Sequence, residues 1–128
     1  MSGLHIVCLS GSLEKLQFAA MTASVGAACG RSVTVFVSMN AVAHFLKTPP
    51  SKASPEGPFG VAMSGKSVPA FEKLFEQSVD LGDAAIYACS MAMDVLGVQE
   101  ADLAPHVKGA MGLTKFLSDA EEGQVMVF

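Results

Sequence analysis

Cys89 stands where a strand-like run, Ala84-Ala85-Ile86-Tyr87-Ala88, meets a helix-like one, Ser90-Met91-Ala92-Met93-Asp94-Val95-Leu96, which Gly97 would end. A thiol in the first turn of a helix faces unpaired backbone N–H groups and the positive end of the helix dipole. Both favour thiolate over thiol, so the chemistry on offer is that of a nucleophilic sulfur. The other reading is a small, inert core cysteine, since free cysteine is often buried.

In open α/β sheets ligands bind at the carboxyl ends of the strands. The residues just after each strand-like run therefore outline a rim. Ser10-Gly11-Ser12 comes after the first run, Ser38-Met39-Asn40 after the second, Cys89-Ser90-Met91 after the third and Gly109-Ala110-Met111-Gly112 after the presumed fourth. Around a catalytic Cys89, the candidate substrate-binding residues are Ser10, Gly11, Ser12, Asn40, Ser90 and Met91. The Ser10-Gly11-Ser12 turn has two readings, an anion cradle at a helix N-terminus or a plain N-cap. It has neither a GxGxxG pattern nor a P-loop lysine.

Cys8 lies inside a strand and Cys29 at the end of a helix, and both read as core. If the first and third strands were neighbours, Cys8 would approach Cys89. His5, His44 and His106 are scattered, none at metal-ligand spacing to another His or Cys, so no metal site is expected. The methionines read as core and interface filler, except Met91 beside the thiol. Asp94, one turn further on, would bias the site against anions or simply be solvated. Nothing positions a Ser-His-Asp triad.

The elements that must hold these residues alternate strand and helix. Leu4 to Leu9 reads as a first strand and residues 13–29 as a helix with Leu13, Leu16, Ala20, Ala23 and Ala27 near one face, ended by Gly30. Ser32 to Val37 is a strand apolar on both sides, as in the middle of a parallel sheet. Asn40 to Lys47 reads as a short helix, Pro69 to Ser78 as a helix with Phe71, Leu74 and Phe75 on one side, and Asp80 to Asp83 as a turn. Residues 84–88 form the third strand, Gln99 to Leu103 a connector, Val107 to Ala110 a short fourth strand, Leu113 to Ala120 a helix and Gln124 to Phe128 a fifth strand. Residues 48–68, rich in Pro, Gly and Ser, break the pattern as a flexible insertion, either a mobile flap or a disordered loop. The alternation predicts one α/β domain over residues 1–128 with a mostly or wholly parallel sheet.

Composition narrows the function classes. The 128 residues are 51% hydrophobic and only 16% charged, which predicts subunit contacts, because so few charges cover a monomer's surface poorly. Net charge is -4 without a Lys/Arg cluster, which argues against nucleic acid. Residues 18–46 carry one charge, Arg31, but Gly26, Gly30 and several Ser and Thr break the run, so no membrane segment is expected. Leu4 to Leu9 has no basic region before it and is too short for a signal peptide. Three cysteines without paired spacing argue against a disulfide framework and point to the cytoplasm. With no Trp and a single Tyr, few aromatics are left to stack on a flavin.

Four segments together resemble the DsrE/DsrF-like sulfur-relay family, which includes the TusBCD proteins. They are Gly11-Ser12-Leu13-Glu14-Lys15, Arg31-Ser32-Val33-Thr34-Val35-Phe36, Ile86 to Val98 around Cys89, and Gly109 to Leu117. The likeness spans nearly the whole chain outside 48–68 and is nearest the branch often labelled "predicted peroxiredoxin". The resemblance implies a three-layer flavodoxin-like sandwich with a mostly parallel five-stranded sheet, assembled as trimers or hexamers. It implies a sulfurtransferase or sulfur carrier that holds sulfane sulfur as a persulfide on Cys89, needs no cofactor, and exchanges with a small cysteine-bearing, TusA-like carrier. A non-catalytic assembly subunit on the same fold is the alternative. The peroxiredoxin label fits poorly: a true peroxiredoxin has Thr three residues before its reactive Cys and a Pro upstream. Position 86 is Ile here, and residues 84–88 contain no Pro.

Overall fold

Five short apolar runs pair into one sheet in a computed structural model that describes residues 3–128. They are β1 (Leu4–Cys8), β2 (Val33–Val37), β3 (Ala85–Cys89), β4 (Val107–Met111) and β5 (Gln124–Val127). Their order is β4-β3-β2-β1-β5, and every neighbouring pair is parallel. Parallel neighbours need long crossovers. These carry α1 (Leu13–Ala28), α2 (Pro58–Ser64), α3 (Phe71–Gly82), α4 (Ser90–Leu96) and α5 (Leu113–Asp119). The expected three-layer α/β sandwich is the fold found.

Register decides which side chains meet which layer. Leu4, Ile6 and Cys8 pair with Val33, Val35 and Val37, and all six are buried on the face that α1 and α3 cover. Gly26 allows this approach, because a β-carbon there would come within 2.8 Å of Leu4 Cδ2. On the opposite face Phe36 stacks on Phe116 of α5 at 4.7 Å, and His5 meets the same ring edge-on at 6.1 Å. β2 is thus buried on both sides, as its unbroken apolar run predicts.

Local chemistry sets the ends of α1. Ser12 is its N-cap, accepting from the Lys15 N–H at 3.3 Å. Gly30, with φ of 83°, supplies the left-handed turn that stops it.

Three expectations change, and one condition left open is decided. Asn40 to Lys47 is a 3-10 helix over Met39–Phe45. The third helix starts at Phe71, leaving Pro69 outside, where its carbonyl accepts from Gln17 Nε2 at 2.9 Å. It also runs through the expected turn to Gly82, and only Asp83, left-handed with φ of 56°, ends it. Lastly, β2 lies between β1 and β3, so the first and third strands are not neighbours.

Residues 48–68 are not bare loop, for they contain α2. Gly57 and Pro58 open this helix, and Pro at the first position loses no intrahelical bond. No side chain of its own caps it; the Glu14 carboxylate does, from α1. It accepts from the N–H groups of Glu56 and Gly57, each at 2.9 Å, and of Gly60 at 3.1 Å. Hydrogen bonding, first from the Glu56 N–H, holds the Glu14 carboxyl below its ordinary range.

Two testable outcomes arise from this packing. A β-carbon at Gly82 would overlap Ala27 where α3 crosses α1, so Gly82→Ala should cost about 1–3 kcal/mol in urea unfolding by overpacking. A native stability would show that the helices separate freely. The Glu14 contribution is present above the ordinary carboxylate range and is lost as pH falls through the lowered folded value. On acidification the Gly57 and Gly60 amide resonances should therefore shift together with Glu14 titration, and Glu14→Gln should abolish that coupled step.

Candidate active site

Cys89 is both the last residue of β3 and the N-cap of α4. The strand-to-helix junction read from the sequence is therefore present, with the thiol one position before the first helical residue. In register it pairs with Met111 of β4, and its residue is only 5% exposed. No side chain caps α4, and none caps α5, whose N-cap is Gly112. The two helix starts adjoin, since a β-carbon on Gly112 would stand 3.9 Å from Ser90 Oγ. Cys89 holds the N-cap position without its side chain capping the helix, so the first-turn N–H groups of α4 carry no side-chain acceptor.

Methionines form the outer edge of this corner. Met91 is 52% exposed in the first turn of α4, and Met39 is 53% exposed at the end of β2. Met39 has φ of 51°, a left-handed conformation that costs an unbranched residue on the order of 1 kcal/mol. The 3-10 helix that it begins packs against α4, which brings the ends of β2 and β3 together. Flexible thioethers at the mouth of a thiol site make a soft, apolar surround.

The other expected residues gather elsewhere on the rim. Gly11 lies against the Asn40 carbonyl and His44, whose Nε2 would be 3.2 Å from a β-carbon there. Burial holds the His44 imidazole below its ordinary range, against an opposing effect of Glu72. Ser10 Oγ accepts from the Ser12 N–H at 3.0 Å. The Ser12 hydroxyl donates to Glu56 at 2.6 Å while it caps α1, and an arriving anion would meet that carboxylate. The expected set therefore divides in two: Ser90 and Met91 lie beside Cys89, whereas Ser10, Gly11 and Ser12 join Asn40 at the ends of β1 and β2.

The remaining cysteines are placed unambiguously. Cys8 pairs with Val37, which pairs with Ala88, so Cys8 lies on the face opposite Cys89. It is also two strands away, about 10 Å at the usual strand spacing, too far for a disulfide. Burial pushes the Cys8 thiol up to about 12, so it stays protonated. Cys29, expected in the core, is exposed at the C-cap position of α1.

Two residues escaped the sequence reading. Glu14 reads as an ordinary first-turn acid of α1; the signal for its role lay in Gly57-Pro58, a helix start with no side chain to cap it. The left-handed Met39 has no sequence signature. Among the described residues no cluster of His, Cys, Asp and Glu could hold a metal ion, and no helix is long and apolar enough to cross a membrane.

With this geometry in view, comparison with known proteins places the chain. Residues 58–128, which include Cys89, match the DsrE/DsrF/DrsH-like family. An uncharacterized protein of Bacillus subtilis (strain 168), YrkE, is 29% identical over 152 aligned positions, covering 96% of this chain and 94% of that protein. The crystal structure of the ychN protein from E. coli superposes with a TM-score of 0.72 at 15% identity over the whole of both chains, a likeness of fold. The matched segment spans more than half of the sequence and carries the strand, thiol and helix described above: the chain belongs to the DsrE/DsrF/DrsH-like family.

Proposed function

We propose that the protein is a sulfur carrier or sulfurtransferase that holds sulfane sulfur as a persulfide on Cys89. The observation that carries the reading is Cys89 at the N-cap position of α4, where the first-turn N–H groups have no side-chain acceptor, in a chain of the DsrE/DsrF/DrsH-like family. The Cys89 thiolate attacks the outer sulfur of a donor persulfide, forming Cys89–S–S⁻ and releasing the donor thiolate. An acceptor thiolate then attacks the same outer sulfur and frees the Cys89 thiolate. One S–S bond forms and one breaks in each step, so no external oxidant or reductant is needed.

Helix N–H groups stabilise the charge on either form of the sulfur. Ser90 adjoins the start of α5 and contributes a hydroxyl beside the thiol, and Met91 gives the transferred sulfur an apolar neighbour. Ser10, Gly11, Ser12 and Asn40 act further along the rim, shaping the surface a donor or acceptor protein meets. The proposed partner is a small cysteine-bearing carrier of the TusA kind, working in the cytoplasm. The proposed assembly is a homo-oligomer, trimer or hexamer, supported by exposed apolar side chains such as Leu113 and Leu117.

Burial of Cys89 favours a second reading, a non-catalytic assembly subunit with an unreactive thiol. The two differ in the outcome of intact-protein mass spectrometry after incubation with thiosulfate, polysulfide or a persulfidated carrier. The carrier reading expects a gain of about 32 Da, one sulfur atom, reversed by dithiothreitol and absent in Cys89→Ala. No adduct with any donor selects the assembly subunit, and an adduct retained in Cys89→Ala moves the chemistry to another cysteine.

A further inference from the structure

The two edges of the sheet differ in how they are protected. β4 carries Lys108, a glycine at φ of 156° and a register shift against β3, three devices that discourage another strand from pairing. β5, Gln124-Val125-Met126-Val127, has no charge, no proline and no bulge. Among the described residues β1 is its one strand neighbour. The N–H groups of Gln124 and Phe128 reach β1, donating to Gly3 and Val7 at 2.9 and 2.8 Å. By strand alternation the backbone groups of Val125 and Val127 point the other way, outward from the sheet.

Apolar side chains flank this open edge on both faces. On the α1 side a groove of about 480 Å³ runs between helix and strand, lined by Phe18, Met21, Val25 and Met126, with Arg31 also in its lining and donating to Gln124 Oε1 at 3.2 Å. It continues past Phe128 to Phe59 of α2. On the other face Val125 and Val127 are exposed. Phe18 and Phe59 are 55% and 73% exposed. At roughly 150–200 Å² per fully exposed apolar side chain, Phe18, Met21, Val25, Phe59, Val125 and Val127 leave on the order of 600 Å² in water. A stable interface takes about 800 Å² from each partner, and the strand edge itself supplies more.

We propose that β5 pairs antiparallel with β5 of a second copy of this chain, about a two-fold axis through Met126 perpendicular to the sheet. In this register Val125 lies opposite Val127 of the second copy, and the two Met126 residues face each other. Each Val125–Val127 pair exchanges both N–H···O bonds through the groups that point outward, and the β1 bonds are untouched. Side chains keep their faces. Val125 and Val127 form β-branched cross-strand pairs on one side, and both Met126 side chains enter the grooves beneath the two α1 helices. An isologous contact of this kind closes on itself, whereas a head-to-tail one would propagate. The assembly therefore contains an even number of chains, which of the trimer and hexamer named above leaves the hexamer.

This inference rests on the reading that the chain self-associates and is independent of the sulfur chemistry. Sedimentation equilibrium of the wild type should give an even-numbered assembly. Val125→Pro, which removes only an outward N–H, and Val127→Lys should each halve its mass with the far-UV circular dichroism unchanged. In a Cys29→Ser background, Met126→Cys should form a reducible inter-chain disulfide on mild oxidation, because facing residues of a non-hydrogen-bonded pair stand about 4.5 Å apart at Cα. Val125→Cys should not. An assembly that keeps its mass in both variants, or one with three chains, overturns the β5 surface and leaves self-association standing. A monomeric wild type overturns both. If the substitutions unfold the chain, failure of Met126→Cys to cross-link still refutes the register.

Discussion

Parallel pairing of β3 between β2 and β4 is the constraint on which the site depends. It aligns the carboxyl ends of neighbouring strands, so the loop or helix after each strand opens on the same rim. Cys89 ends the third strand and stands at the N-cap position of the next helix, whose first residue, Ser90, adjoins the start of α5. Met111 of β4 is the register partner of Cys89, and Ser90 and Met91 follow it in α4.

Burial and reactivity meet at this corner. Cys8 is enclosed by α1 and the sheet, and the cost of charging it there makes it inert. Cys89 is nearly as enclosed, but Met91, two residues on, is half exposed and changes rotamer at little cost. A persulfide would extend the Cys89 side chain by one S–S bond of about 2.05 Å. The same fold thus holds two buried thiols with different chemical prospects, separated by the strand β2 and by the face of the sheet.

Elsewhere the chain resolves its low charge by giving its few ionised groups structural tasks. Glu14 satisfies three backbone donors at the start of α2, and Glu56 holds Ser12 with Lys15 near by. These contacts fasten the Pro- and Gly-rich stretch to α1. They also convert the turn after β1 from a potential anion cradle into a joint between α1 and α2.

Legible in the sequence were the five strands and every longer helix but α2, the parallel sheet, the buried second strand and the position of Cys89 at a strand-to-helix junction. These arise from hydrophobic period, glycine stops and small polar caps, all of which act over a few neighbouring residues. Tertiary structure alone decided the rest. Placing β2 between β1 and β3 separated Cys8 from Cys89, and no local pattern specifies strand order. The Glu14 cap joins residues over forty positions apart, the exposure of Cys29 depends on what packs against the end of α1, and the division of the rim into two groups depends on which loops touch. Local propensity acts along the chain, whereas burial and hydrogen-bond partners are set by the elements that the fold brings alongside.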